Sequence, residues 1–236
     1  MNSSPATSDS PRWRLTAAGV GVGAAVVLIL GSAPVIARLQ FTQPHLALLL
    51  SYLAVWVPLL GAVVACYLRG SRSLSRDFGL RFRPLDLLWG LAIGLLARVA
   101  ASLLEIMGYG QMGSSAVTLE QPVYDGWWVF GVILAPIILA PVIEELFFRG
   151  LLLRALLAAM SAPVPIKATA IMISAAIFAA LHIVEAGSGT AALVVGLSTF
   201  VVGVATATLA VLTGRLGGAV IAHITFNALG VLPGLL

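Results

Sequence analysis

The sequence predicts an all-α fold: a polytopic transmembrane helical bundle of about seven spans, N-terminus in and C-terminus out. Three observations predict it. Of 236 residues, 60% are hydrophobic and 9% charged, against about 45–50% apolar and about 25% charged in a soluble domain. Mean hydropathy is +1.07. Apolar runs of about 20 residues, the length that crosses about 30 Å of hydrocarbon, recur along the chain, and the alternating ten-residue segments of a membrane β-barrel do not. With 13 Lys+Arg and 9 Asp+Glu, too few charges exist to solvate a globule. A cytosolic enzyme, a disordered chain and a disulfide-stapled secreted domain are thereby excluded.

The elements follow in order. Residues 1–14 form a Ser/Thr/Pro-rich cytoplasmic tail, predicted disordered from Met1 to Ser10. The first run, 15–37, is longer than the apolar core of about 7–15 residues in a cleaved signal peptide, so it is read as a retained span. The second, 45–68, contains Cys66, the one cysteine of the chain. It allows no intrachain disulfide and reads as a buried, inert thiol. The arginine-rich loop Arg69–Arg83 reads as a topology signal, with anionic-lipid binding a weaker reading. The third run, 85–107, has Gly90 and Gly94 at small-xxx-small spacing, as Gly19 and Gly23 have in the first. The fourth, 127–148, is followed with little interruption by Leu151–Leu153 and Leu156–Leu157. The last three are 166–185, 191–213 and 216–234, the final two separated only by Gly214-Arg215. As domains, 15–126 carries the first three helices and their loops, and 127–236 a catalytic helical core.

Arginine placement sets the orientation. With the N-terminus inside, Arg12, Arg14, Arg69, Arg72, Arg76, Arg81, Arg83, Arg154, Lys167 and Arg215 fall on the inner side, and Arg38 alone on the outer. Glu120 and Asp125 fall outside, with Glu105 and Glu185 near outer helix ends. A net charge of +4 and a pI near 9.8 do not point to nucleic acid, because the basic residues sit between apolar runs.

Polar groups inside a span are functional candidates by default. The fourth run reads Glu144-Glu145-Leu146-Phe147-Phe148-Arg149, the fifth Phe178-Ala179-Ala180-Leu181-His182, and the seventh His223-Ile224-Thr225-Phe226-Asn227. Glu145 and Arg149 are four apart and can pair on one helix face. Glu144 is turned about 100° away and needs another partner. An apolar surrounding disfavours a bare carboxylate, which suits a general base that must accept a proton. His223 and Asn227, also four apart, offer donors for a developing oxyanion, and His182 could orient a water with Glu144. Each residue taken alone has an ordinary account: an ion pair for Glu145–Arg149, packing for His182, His223, Phe147, Phe148 and Phe178, interhelical hydrogen bonding for Asn227. His45 reads as an interfacial histidine, and Arg98 and Glu105 as groups that reach neighbours or snorkel. The joint occurrence on three helices is what points to chemistry.

These blocks resemble the CPBP family of intramembrane proteases, which includes type II CAAX prenyl endopeptidases and Abi proteins. The family pattern Glu-Glu-x-x-x-Arg, Phe-x-x-x-His, His-x-x-x-Asn is matched in order by Glu144-Glu145-x-x-x-Arg149, Phe178-x-x-x-His182 and His223-x-x-x-Asn227, over roughly residues 127–234. The resemblance implies an intramembrane endopeptidase in which Glu144 is the base acting with His182 on water, Glu145 and Arg149 hold the site in shape, and His223 and Asn227 stabilise the oxyanion. It implies a multi-pass protein of a bacterial cell membrane, with membrane lipid and a peptide or protein substrate, lipidated or not, as partners and no nucleic acid. The family is often labelled metalloprotease, and Glu144, His182 and His223 would be the set for zinc. No His-Glu-x-x-His is present, and a metal-free, glutamate-dependent mechanism is preferred, with no cofactor expected. The competing functions are a non-catalytic immunity or binding protein of the same fold and a proton-coupled transporter, the latter disfavoured by the lack of an internal repeat.

One expectation is geometric. In a fourth helix of about 20 residues, Glu144 would lie near the inner end, while His182 would lie about 22 Å from Lys167 at 1.5 Å per residue. The two would not meet. The sequence therefore predicts a fourth helix running toward residue 158, or a fifth starting near Pro163 or Pro165.

Overall fold

The computed structural model describes residues 10–112, 125–160, 164–187 and 189–235. Among these residues all regular structure is helical: α1 (Pro11–Thr42), α2 (Pro44–Arg69), the short α3 (Leu74–Asp77), α4 (Pro84–Tyr109), α5 (Gly126–Met160), α6 (Val164–Ala186), α7 (Gly189–Thr213), α8 (Gly217–Val231) and a closing 3₁₀ turn, Leu232–Leu235. Proline opens α1, α2 and α4, where its missing N–H is not needed and its fixed φ already suits the helix.

Six of these helices are long and apolar enough to cross a membrane, and the protein is an integral membrane protein. Several helix boundaries depart from the apolar runs counted in the sequence, two of them as expected. The first helix starts at Pro11, so Pro11–Arg14 is helix rather than tail, and residues 1–9 lie outside the described residues, as does Glu120. The fourth span runs to Met160 and the fifth helix starts at Val164, which are the two extensions that the meeting of Glu144 and His182 demands. The seventh is shorter than the run read for it: its 15 α-helical residues rise about 22 Å before the 3₁₀ turn Leu232–Leu235.

Helix α1 lies along α2, α6 along α7 and α4 along α8, and α5 is packed against α1, α2, α6, α7 and α8. The seven residues Phe147–Leu153 of α5 are all buried. Apart from Arg149, which pairs with Glu145, the stretch is apolar on every side, as suits a helix in a core, and Phe147, Phe148 and Leu151 join Leu59, Phe78, Phe178 and Val202 in the largest buried cluster. The exposed leucines of α4, among them Leu87, Leu88, Leu95 and Leu96, face outward, where lipid would be.

The α4–α8 seam depends on two glycines. A Cβ on Gly90 would stand 2.6 Å from the Ile221 side chain, and one on Gly94 would stand 2.5 Å from the Ala222 carbonyl oxygen. Gly19 and Gly23 meet nothing within 4 Å, so the same spacing there makes no helix contact. The seam places α8, and with it His223 and Asn227. Farther along α4, Arg98 pairs with Glu105 at 2.5 Å and donates to the Ser102 hydroxyl, so both charges are satisfied along one helix.

The basic loop is stitched into the bundle. Leu216 N–H donates to Gly79 O at 2.9 Å and Gly217 N–H to Arg81 O at 3.1 Å. Arg215 grips Asp86 through Nε and Nη2. Phe78 is fully buried. Burial works against the Asp77 charge, but the Ser71 hydroxyl and the Ser73 and Ser71 backbone N–H groups, with Arg14 nearby, hold its carboxyl below the usual carboxylate range.

Gly94→Val should lower stability by about 1–3 kcal/mol, the usual cost of overpacking, read from the thermal midpoint in detergent. Gly23→Val should leave the midpoint unchanged.

Candidate active site

Two prolines shape the helix that carries the acid pair. Residues Val129–Leu139 and Leu146–Leu153 of α5 are π-helical, a rare form that tends to mark functional sites. The Ala140 N–H reaches back five residues to Ala135 O. In the same register, position 141 would bond Pro136 O, and position 136 would bond Gly131 O. Both positions are proline and have no N–H. The two carbonyls left over are taken by side chains of other helices. Asn227 Nδ2 donates to Pro136 O at 2.7 Å and the Tyr52 hydroxyl donates to Gly131 O at 3.0 Å. The interhelical bond expected of Asn227 is therefore made, to a carbonyl that a proline five residues on has stripped of its backbone donor.

Behind the pair stands a buried ionic network. Arg149 Nη1 lies 3.0 Å from Glu145 Oε1, and both side chains are fully buried. Arg149 Nη2 donates to Gly203 O at 3.0 Å, and its guanidinium lies over the Phe178 ring at 4.6 Å. Glu145 Oε1 also bonds His223 Nδ1 at 3.0 Å. The carboxylate thus links Arg149 on its own helix to His223 on α8.

Glu144 points elsewhere, as its position one residue along the helix requires. Its Oε2 stands 3.7 Å from His223 Nε2. It lines a cavity of about 630 Å³ together with His182, His223, Asn227, Glu185, Tyr52 and Thr199. Of the six residues singled out in the sequence, four line this cavity, and Glu145 and Arg149 lie behind its wall. Glu144 and His182, which a short fourth helix would have kept apart, face one space.

Hydrogen bonding fixes the histidine tautomers. His182 Nδ1 lies 2.9 Å from Phe178 O, and His223 Nδ1 lies against the Glu145 carboxylate. Both partners are acceptors, so each Nδ1 carries the proton and each neutral ring offers an Nε2 lone pair. This suits His182 to orient water. For His223 it changes the sequence reading: Nε2 can donate only when the ring is an imidazolium.

Metal ligands are often dressed in this way, with the second ring nitrogen on a carbonyl or carboxylate. The spacing does not follow: among the described residues no three His, Cys, Asp or Glu side chains lie together as a metal-holding group.

Sequence reasoning missed Tyr52, Thr199 and the α1 wall, where Ile29, Ala33 and Ile36 line the cavity. Tyr52 had a signal in Pro136, whose missing N–H must free a carbonyl. The α1 residues had none, being apolar residues in an apolar helix.

Residues 126–229 match the family model described as type II CAAX prenyl endopeptidase Rce1-like. The match covers less than half of the chain and makes this segment similar to that family. No curated protein and no solved structure matches the chain. The Rce1-like segment begins at the first residue of α5 and ends within α8, so it holds all six site residues, whereas the cavity walls from α1 and α2 lie outside it. The family is one of proteases, in keeping with the CPBP resemblance.

Two predictions follow from the geometry. Arg149→Met strands a buried carboxylate and should cost about 3–5 kcal/mol, whereas the double change Glu145→Met/Arg149→Met should recover much of that loss, measured by thermal unfolding. Asn227→Ala leaves Pro136 O unsatisfied and should cost about 1–3 kcal/mol. In a Pro141→Ala background, where a backbone N–H returns, the cost of Asn227→Ala should shrink, and the non-additivity is read in a double-mutant cycle.

Proposed function

We propose that the chain is an intramembrane endopeptidase whose water is activated by Glu144 and His182 without a metal. The observation that carries this is the meeting of Glu144, His182 and His223, from α5, α6 and α8, on one cavity of about 630 Å³. A water held between the Glu144 carboxylate and His182 Nε2 attacks the peptide carbonyl, and its proton passes to Glu144. The Asn227 amide has one N–H on Pro136 O and its second N–H for the oxyanion. His223, between the carboxylates of Glu144 and Glu145, adds a second donor once protonated. Collapse of the tetrahedral intermediate breaks the C–N bond, and the leaving amine takes the proton from Glu144. Glu145 and Arg149 are positioning residues that fix the His223 ring.

The substrate class is a peptide or protein segment that reaches the cavity from the bilayer. The Ile29, Ala33 and Ile36 wall of α1 suits an apolar or lipidated segment. The cationic end of the bundle is read as cytoplasmic by the positive-inside rule. A non-catalytic immunity protein of the same fold finds less support, since it needs neither fixed tautomers nor a carboxylate beside them.

Purified protein in liposomes should cleave a membrane-anchored peptide, and Glu144→Gln should lower kcat by about 10²–10⁴-fold while leaving the thermal midpoint within error. Full activity in Glu144→Gln would reject the base. Activity that is lost with a chelator and restored by zinc would reject the metal-free reading alone.

A further inference from the structure

At the end of the bundle away from Tyr52 and Glu185, a second cavity of about 690 Å³ opens between the starts of α1 and α6 and the ends of α5 and α7. Six cationic side chains line it: Arg14, Arg76, Arg149, Arg154, Lys167 and Arg215, with Asp77 as the one carboxylate. Much of this charge is already answered. Arg149 pairs with Glu145 and Arg215 with Asp86, and Arg14 donates to the Asp77 backbone carbonyl at 2.9 Å and lies near enough to stabilise the Asp77 carboxylate. The Asp77 carboxylate is in turn satisfied by the Ser71 hydroxyl and the Ser71 and Ser73 N–H groups.

Three cations remain. Arg154 donates to the Gly214 carbonyl at 2.9 Å, but Arg154, Arg76 and Lys167 form no ion pair with a carboxylate among the described residues. Like charges gathered in a concavity repel and attract a counter-ion. The remaining lining is apolar, with Leu153, Leu157 and Val211 at helix ends that continue into the spans. An occupant that matches both halves has an anionic head and an apolar body.

We propose that this cavity is a binding site for the phosphate headgroup of an anionic phospholipid, held by Arg76, Arg154 and Lys167 with its acyl chains along the α5 and α7 ends. The phosphodiester supplies the charge that the protein lacks, and basic pockets between transmembrane helices are the usual seats of such headgroups. Arg149 closes the bottom of the cavity and reaches the Glu145–His223 network from behind, so the site abuts the catalytic residues without sharing the substrate cavity. The proposal stands apart from the hydrolytic reading, because binding is read without turnover.

The test is the thermal midpoint of the full chain in detergent, titrated with phosphatidylglycerol, with native mass spectrometry counting retained lipid. Phosphatidylglycerol should raise the midpoint, and phosphatidylcholine and inorganic phosphate should not. Arg76→Gln/Lys167→Gln should weaken apparent affinity at least tenfold, since each cation near an anionic headgroup contributes roughly fivefold. Arg12→Gln, at the same end but outside the cavity, should leave affinity unchanged. If the double variant does not fold, Arg76→Lys/Lys167→Arg must keep the response and Arg76→Gln alone must reduce it. Equal loss in Arg12→Gln would reduce the effect to general surface charge and overturn the site. An equal shift with inorganic phosphate would overturn the lipid as occupant, and a shift with phosphatidylcholine would overturn the need for charge.

Discussion

The Glu145 carboxylate is the interaction on which the remainder depends. It is fully buried, it faces Arg149 along α5, and it holds the His223 ring across the α5–α8 interface. Removing one member of a buried ionic set is costly because the others are left without compensation. The apolar core must therefore close around all three at once, and α5 and α8 cannot slide without opening it. The Phe178 ring that covers Arg149 ties α6 to the same point. Through that ring the network also sets the height of His182, one turn farther along α6.

Position in the helix then divides the labour of two adjacent acids. Glu145 faces inward and fixes a ring, and Glu144 faces a cavity. A one-residue step on a helix turns a side chain by about 100°, so neighbours in sequence become a structural group and an accessible one. The same economy appears in the two prolines of α5. Each removes a backbone donor, and each freed carbonyl becomes the anchor of a side chain from another helix.

Much of this was legible in the sequence. The six polar residues stood out because apolar runs give a carboxylate or an imidazole nothing to bond. The longer α5 and the earlier start of α6 followed from asking that Glu144 and His182 meet. The π register did not show, since a five-residue reach is stabilised by Asn227, 91 positions from Pro136, and no local pattern encodes so distant a partner. Nor did the α1 wall, because an apolar residue reads the same whether it meets lipid or lines a cavity. Helix α8 was read as a full span because hydropathy continues past Val231, whereas the backbone tightens there into a 3₁₀ turn.

That last helix has a consequence for hydration. A rod of about 22 Å that is buried along Gly217–Val220 and at Ala222, His223 and Phe226 is held by the helices around it rather than by lipid. The depth of His223 and Asn227, which line the cavity, is therefore set by the contacts of α8 with its neighbours. For a hydrolytic site of the proposed kind, the cavity itself must then admit one solvent molecule for each bond cleaved.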